Sequence, residues 1–358
     1  MPRAVSGNHL TLTLPIAEPP RHLTEIDQFM KILEEDQKDL REKIRHEEKG
    51  YTESKIDDNH KRYIGIATLE ETAITAPDGT HLPANHINLG TSKGSIRCQF
   101  PTENAVPSFI NMLMDLRVTI LVVIGEEKIF DLKPFFIDKP YPPYFKESKD
   151  TSIYITKSHI VAVPTEPVPT ESFLIELPTT ESLPNAKYYQ MSITESSEKY
   201  KYEKEKKCIA VPVIRITDWP DRTSLSVDEL YLLAKHIHQL HDKMFNVYAN
   251  PKDGNTSRAI ETAGKALPVI HCSAGVGRTG VVIVAMELIK LDSTLSLESI
   301  IKILRKQGGP AMVQTEEQLN VLIELARKCH KPLWTKDEQP QRAFRILCHV
   351  KIIIALSL

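Results

Sequence analysis

The sequence predicts an α/β fold built around a buried strand that leads directly into a helix. Residues 267–271 are apolar without the alternation of a half-exposed strand, so we expect a strand buried on both faces. Residues 281–291 have the apolar spacing of a packed helix. Two further apolar runs, Ile120–Ile124 and Cys208–Ile216, are typical of strands.

The segment between the buried strand and the helix has the composition of an anion-binding loop. Cys272 follows the strand at its carboxyl end, where open α/β sheets bind their ligands. The next five residues are small or flexible enough for the backbone to curl with its N–H groups inward: Ser273, Ala274, Gly275, Val276 and Gly277. The positive end of the following helix adds to the attraction for an anion.

Four residues in and beside this loop suggest a phosphate-binding nucleophile. The planar guanidinium of Arg278 can hold two phosphate oxygens at once, which a lysine does poorly. The amides, the helix start and the arginine together favour the thiolate form of Cys272. We expect Thr279 to offer its hydroxyl to that sulfur and His271 to support the loop from behind. The alternative is an ordinary strand-to-helix connection.

Attack on a phosphate ester also requires a proton for the leaving oxygen, supplied by an acid on a loop that closes over the site. The sequence Asp218-Trp219-Pro220-Asp221 follows the run Cys208–Ile216 and lies about fifty residues before the cysteine. Trp219 can anchor a hinge, Pro220 can stiffen it, and Asp221 can act as the general acid. A lone Trp-Pro-Asp triplet is more often a plain turn.

A second half-reaction, in which water removes the phosphate from sulfur, needs groups that orient the water. Gln314 follows the apolar pair Met312-Val313, and Gln318 comes one helical turn later, so both amides are candidates. Glutamines on a helix are usually solvated, and this alternative is stronger for Gln318 than for Gln314.

These segments together resemble the signature motifs of the cysteine-dependent protein tyrosine phosphatases. The matching motifs are residues 271–280, 219–221 and 312–318, and they occur in the family's order. The resemblance implies a highly twisted mixed β-sheet flanked by helices. It also implies a covalent cysteinyl-phosphate intermediate, with no metal and no cofactor.

The resemblance assigns a role to each residue of the motifs. Cys272 is the nucleophile, Arg278 holds the phosphate, Asp221 is first the acid and then the base, and Gln314 positions water. Residues 273–277 bind the phosphate through their backbone, and Gln318 belongs to the same substrate-binding set.

Upstream, the likeness is fainter. Lys61-Arg62-Tyr63 resembles the loop whose tyrosine stacks on the phenyl ring of the substrate and makes the pocket deep. A tyrosine at the edge of a domain is as often a packing residue, so both readings of Tyr63 stand.

Within the family, two details resemble the secreted tyrosine phosphatases that pathogenic bacteria inject into host cells. These are the run at 318–323 and the Trp-Pro-Asp-x-Thr pattern at 219–223, whereas Ser273 and Gly280 match the eukaryotic form of the loop. A bacterial effector is favoured and the origin stays open. Arg222 stands where the bacterial relatives tend to have a glutamine, which puts a water-orienting role at that position in doubt.

Composition excludes several classes of function. The chain has 358 residues and a formal net charge of -2, which argues against nucleic-acid binding. Its five cysteines show neither paired spacing nor a Cys-x-x-Cys motif, so we expect neither a disulfide framework nor a zinc site. The cysteine usage fits a reducing, cytoplasmic compartment. The resemblance to the phosphatases implies phosphotyrosine proteins as partners, and the host cytosol as the location if the protein is injected; we expect a monomer.

We divide the chain into three parts. Residues 1–58 form an N-terminal tail with a charged amphipathic helix at 23–48, and no secretory signal is evident there. Residues 59–334 form the catalytic domain, in which 159–185 reads as a mobile, proline- and threonine-rich insertion. Residues 335–358 are a C-terminal tail, whose apolar stretch at 343–358 is shorter than the ~20 residues that a bilayer span requires. The 23–48 helix is expected to pack on the domain; a partner-binding role is the alternative for it and for the insertion.

Two other functions compete with a phosphotyrosine phosphatase. A dual-specificity or phosphoinositide phosphatase would want a shallower pocket or basic residues inside the loop, and residues 274–277 include no lysine. A non-catalytic phosphotyrosine-binding module typically lacks the cysteine, the arginine or the acid, and this chain has all three.

Overall fold

The computed structural model describes ten parts of the chain: residues 34–35, 38–43, 50–90, 94–125, 153–154, 160–164, 183, 185–195, 208–249 and 266–335. The chain divides into two compact units, one of Met1–Asp39 with Asp337–Leu358 and one of Leu40–Lys336. In the first unit, the described residues 34–35 and 38–39 are helical. All elements named below belong to the second unit.

The described residues of this unit form a mixed sheet of nine strands. The strands are β1 (Ala73–Thr75), β2 (His81–Ile87), β3 (Ser95–Cys98), β4 (Ile120–Ile124), β5 (Ile153–Tyr154), β6 (Ile160–Pro164), β7 (Ala186–Glu195), β8 (Cys208–Ile216) and β9 (Pro268–His271). Their order is β1-β2-β3-β9-β4-β8-β7-β6-β5. The four central strands β3, β9, β4 and β8 are parallel, and the outer pairs are antiparallel.

Helices cover both faces of the sheet. They are α1 (Val106–Asp115), α2 (Val227–Ala249), α3 (Gly277–Leu288), α4 (Leu297–Gly308) and α5 (Glu316–Lys328). Side chains of α2, α3, α4 and α5 pack in one apolar cluster, and those of α1 pack in the other. The mixed sheet with flanking helices that the sequence predicts is confirmed.

Strands β4 and β9 are buried on both faces, as the continuous apolar run at 267–271 predicts for β9. Along β4, Ile120, Val122 and Ile124 belong to the cluster with α3, whereas Leu121 and Val123 belong to the cluster with α1. Because parallel strands all end at one edge of the sheet, the carboxyl ends of β3, β9, β4 and β8 are neighbours. This edge carries the candidate site.

Element bounds differ from the sequence-based expectation in two places. The helix after the cysteine loop begins at Gly277 and ends at Leu288, whereas the apolar spacing predicted 281–291; Leu291 is fully exposed. The first part of the predicted 159–185 insertion is strand β6, paired with β7, so that part belongs to the sheet. Residues 165–182 lie outside the described residues.

Residues 40–43 are the described end of the predicted 23–48 helix in the second unit, and they pack on the rest of that unit. Leu40 is fully buried in the main cluster, and Lys43 forms an ion pair of 2.8 Å with the buried carboxylate of Glu298. The Nε of Arg41 donates to Asn320 at 3.1 Å. Within the ranges given above, no helix is both long and apolar enough to cross a bilayer.

Candidate active site

The loop after β9 lies against the end of the neighbouring strand β3. Cys98 pairs with His271 in the parallel register, and the N–H of Phe100 donates to the carbonyl oxygen of Ser273 at 3.0 Å. Gly275 has a φ of +71°, and a Cβ added there would lie 2.1 Å from the carbonyl oxygen of Cys98. Only glycine fits this position, because both the backbone angle and the close approach exclude a side chain.

Helix α3 begins inside the signature segment, with no side-chain cap. Val276 precedes the helix, and its side chain cannot accept from the first N–H groups, which also have no partner within an α-helix. Donors at a helix start attract anions. A Cβ at Gly277 would lie 2.6 Å from Oε1 of Gln314, so the side chain of Gln314 lies directly against the start of α3.

The nucleophile candidate and its neighbour are both buried. Cys272 is 2% exposed, and His271 is fully buried. The imidazole contacts the rings of Phe100 and Phe109 edge-on, with centroid distances of 5.0 and 6.1 Å, and its Nδ1 lies 3.4 Å from the carbonyl oxygen of Cys272. Burial lowers the pKa of His271 to about 3, so it is a neutral ring behind the loop at physiological pH.

The expected bond between Thr279 and the sulfur is not formed. Thr279 is fully buried, and its Oγ1 has no hydrogen-bond partner among the described residues. Thr279 lies in the first turn of α3, which begins at Gly277.

Arg278 connects two loops: residues 272–276, the cysteine loop, and residues 218–224, which we call the acid loop after the role predicted for Asp221. Its guanidinium is 1% exposed; Nη1 donates to the carbonyl oxygen of Trp219 at 2.5 Å, and Nη2 lies 3.1 Å from Oδ1 of Asp221. Nη2 is not aligned for a hydrogen bond to that carboxylate, so the contact is an ion pair. Nε and Nη2 make no hydrogen bond with any described group, which leaves donors available at the loop.

The acid loop is held in a compact turn by its own side chains. Trp219 is fully buried, and its Nε1 donates to the carbonyl oxygen of Thr223 at 3.0 Å. The hydroxyl of Thr223 donates back to the carbonyl oxygen of Pro220 at 2.9 Å. The side chain of Asp221 is 60% exposed and lies over Arg278.

Two glutamines link the acid loop to the start of α5. Gln318 is fully buried; its Oε1 accepts from the N–H of Gln314 at 2.9 Å, and its Nε2 donates to the carbonyl oxygen of Thr223 at 3.3 Å. The solvated alternative for Gln318 is therefore wrong. The side chain of Gln314 is exposed and lies beside Gly277.

Tyr63 is held at the edge of the domain by the side chain of Gln99, which follows strand β3. The side-chain Oε1 of the buried Gln99 accepts from the N–H groups of Arg62 and Tyr63 at 2.9 and 2.8 Å, and Nε2 donates to the carbonyl oxygen of Tyr63 at 3.1 Å. The phenol ring is 40% exposed. Residues 99–101 also resemble the family's Gln-Tyr-Pro turn.

Arg97 is a structural residue that the sequence analysis did not identify. It is fully buried in β3, and its Nη2 donates to the carbonyl oxygen of Ala67 at 2.6 Å and to Oδ1 of Asn85. Burial lowers the pKa of Arg97 to about 10, which leaves it charged at neutral pH. The segment that follows Tyr63 is thereby fixed to the sheet. A charged residue inside an otherwise apolar strand was the available signal.

The mixed sheet, the loop from Cys272 and the arginine at the start of α3 define the architecture of a cysteine-dependent phosphatase. The model of the protein-tyrosine phosphatase family matches residues 57–328, and the chain belongs to that family.

Bacterial proteins are among the relatives. The chain is 30% identical over 273 residues to tyrosine-protein phosphatase YopH of Yersinia enterocolitica, covering 76% of this chain and 51% of that protein. It is 24% identical over 256 residues to the secreted effector protein SptP of Salmonella typhi, covering 71% of this chain and 39% of that protein. A shorter match, 33% over 116 residues, is to receptor-type tyrosine-protein phosphatase F of Danio rerio, covering 31% of this chain and 5% of that protein. The chain thus spans about half the length of YopH and less of the others.

Proposed function

We propose that the chain hydrolyses phosphotyrosine in proteins through a cysteinyl-phosphate intermediate. The observation that carries the proposal is the position of Arg278, whose guanidinium contacts both Trp219 and Asp221 of the acid loop at the start of the helix that follows Cys272. A phosphate group held there would lie between a nucleophile and an acid. This is the geometry that in-line displacement requires.

In the first half-reaction, the thiolate of Cys272 attacks phosphorus and the bond from phosphorus to the tyrosine oxygen breaks. Asp221 gives its proton to that oxygen, so that tyrosine leaves as a neutral phenol. Arg278 and the N–H groups of residues 273–277 stabilise the negative charge on the phosphoryl oxygens. Thr279 and His271 act through the loop and not on the phosphate itself.

In the second half-reaction, water attacks the phosphorus of the cysteinyl phosphate and the bond from phosphorus to sulfur breaks. Asp221, now ionised, takes a proton from that water, and inorganic phosphate leaves. Gln314 orients the water, because its side chain is exposed beside Gly277 at the rim of the loop. Gln318 contributes by holding the Gln314 backbone on the Thr223 carbonyl.

Tyr63 forms one wall of the pocket and stacks on the phenyl ring of the substrate. Its exposed ring and its backbone, clamped by Gln99, support this role. A deep pocket with an aromatic wall favours phosphotyrosine over phosphoserine, whose shorter side chain would not reach Cys272.

The organisation of the whole protein is part of the same proposal. Residues 59–334 are the catalytic domain, and the protein acts as a monomer. A partner-binding role is the alternative for segments 23–48 and 159–185. The relation to a Salmonella protein named as a secreted effector supports delivery into a host cell, where phosphotyrosine proteins would be the substrates.

The test is steady-state hydrolysis of a phosphotyrosine peptide, a phosphoserine peptide and a phosphoinositide, by purified protein without added metal. We expect cleavage of phosphotyrosine alone, and none by the Cys272→Ser protein, which should still bind the phosphotyrosine peptide. Cleavage of all three substrates would indicate a dual-specificity or phosphoinositide phosphatase. Binding of the phosphotyrosine peptide without cleavage would indicate a non-catalytic phosphotyrosine-binding module.

A further inference from the structure

The backbone of each of the three residues after Asp221 forms a hydrogen bond with a side chain at the start of α5. The hydroxyl of Thr315 donates to the carbonyl oxygen of Arg222 at 3.1 Å, and Nε2 of Gln318 donates to that of Thr223 at 3.3 Å. The N–H of Ser224 donates to Oε1 of Glu317 at 2.9 Å. The backbone of 222–224 is therefore held by side chains about ninety residues further along the chain.

This segment needs external support. Arg222 has a φ of +63°, in the left-handed region that a residue with a side chain adopts at a cost in free energy. Such a conformation persists where the surroundings fix it. Because Arg222 directly follows Asp221, a change in its backbone would move the carboxylate away from Arg278.

Among these three contacts, the one from Glu317 has no second function that the structure shows. The Thr315 hydroxyl also caps α5 by accepting from the N–H of Gln318 at 3.2 Å, and Gln318 is fully buried. Glu317 is exposed in the first turn of α5, and its carboxylate accepts from a backbone N–H, the stronger kind of hydrogen bond. Loss of the Glu317 carboxylate should therefore disturb the acid loop without disturbing the fold.

We propose that Glu317 is a positioning residue for the general acid, holding residues 222–224 so that the Asp221 carboxylate stays over the cysteine loop. The inference rests on the proposed function, since it concerns the proton that Asp221 gives to the leaving oxygen. Glu317 touches neither the substrate nor the phosphate, and it acts through the N–H of Ser224.

The role predicts a dependence on the leaving group. An ester of a weakly acidic phenol, such as phenyl phosphate, needs the proton from Asp221, whereas 4-nitrophenyl phosphate has a far better leaving group and needs it less. The ratio kcat/KM reports only the steps up to release of the phenol, so it isolates the step in which Asp221 is an acid. A defect in the cysteine loop would slow both esters equally.

The experiment compares kcat/KM for the two esters in four proteins: wild type, Glu317→Ala, Glu317→Gln and Glu324→Ala. Glu324 is an exposed residue of the same helix and is the matched control for loss of a carboxylate. We expect Glu317→Ala to lose about tenfold on phenyl phosphate and no more than about twofold on 4-nitrophenyl phosphate. Glu317→Gln keeps an acceptor oxygen for Ser224 and should recover most of the loss, and Glu324→Ala should match wild type.

Equal losses on both esters, or no loss on either, would overturn the role of Glu317. A wild-type protein that hydrolyses neither ester would instead overturn the proposed function. If Glu317→Ala and Glu324→Ala unfold at the same temperature, the fold of Glu317→Ala is intact. A loss of kcat/KM on phenyl phosphate alone is then assigned to the acid loop.

Discussion

Arg278 and Asp221 come from segments more than fifty residues apart and meet with 3.1 Å between Nη2 and Oδ1. The ion pair places the carboxylate beside the guanidinium, at the cysteine loop. The group proposed to hold the phosphate therefore also helps to place the group proposed to protonate the leaving oxygen. A substitution at either residue therefore also changes the surroundings of the other.

Asp221→Ala should lower kcat on a phosphotyrosine peptide by about 10²- to 10⁴-fold, the usual effect of removing a general acid. The loss follows because the phenolate would have to leave without a proton. Steady-state kinetics give the measurement, and Asp218→Ala, which removes an exposed carboxylate three residues upstream, is the control. Unchanged turnover in Asp221→Ala would remove this residue from the mechanism.

Arg278→Lys should lower kcat/KM by about 10²- to 10³-fold despite the conserved charge. A lysine cannot bind two phosphate oxygens at once and reach the carbonyl of Trp219 in the same plane. Kinetics on the same peptide are compared with those of Arg327→Lys, a half-buried arginine in the last turn of α5. If Arg278→Lys keeps full activity, the two-point clamp is wrong.

Gly275→Ala should reduce the free energy of unfolding by more than about 1 kcal/mol, because alanine is strained at positive φ and its Cβ would meet the carbonyl of Cys98. Urea unfolding provides the value. Gly65→Ala is the comparison, since Gly65 has no positive φ and nothing lies within 4 Å of its added Cβ. Equal stability of the two variants would contradict the packing of the loop on β3.

His271 should make the protein less stable in acid. The unfolded chain titrates this ring near the ordinary pKa of about 6.5, whereas burial lowers the folded pKa to about 3. Above pH 6.5 both states are neutral; as the pH falls below 6.5 only the unfolded state gains the proton. Stability is therefore lost by about 1.4 kcal/mol per pH unit, down to the folded pKa.

The measurement for His271 is urea unfolding of wild type and His271→Gln at pH 7.5, 6 and 5. Other groups titrate in both proteins, so the difference between the two isolates the imidazole. Wild type should lose more stability between pH 6 and 5 than the variant does. Parallel pH profiles would show that His271 takes up its proton in the folded state.

The central strands could be predicted because their signal is local. Ile120–Ile124 is apolar throughout and Cys208–Ile216 is apolar except for Arg215, and such continuous runs are typical of strands buried on both faces. The position of Cys272 follows from the same reasoning, since the residue after a buried parallel strand lies at the ligand-binding edge.

The polar contacts could not be predicted, because their partners are distant in the sequence. Gln318 is buried by a bond to Thr223, 95 residues away, and a helical glutamine without that partner would be solvated. The end of α3 was placed three residues too late, because the apolar spacing continues to Leu291 beyond the last helical residue, Leu288. Strand β6 was hidden by the proline- and threonine-rich sequence that follows it and becomes visible through its pairing with β7.

One hydroxyl group, that of Thr315, serves both a helix and a loop: it accepts from Gln318 within α5 and donates to Arg222 outside it. Serine could replace it in both tasks, but valine would lose both together. A substitution at Thr315 that removes the hydroxyl would therefore loosen the contact to Arg222 and fray the start of α5 at the same time. The placement of Asp221, which precedes Arg222, and the stability of α5 are for that reason not free to vary independently at this position.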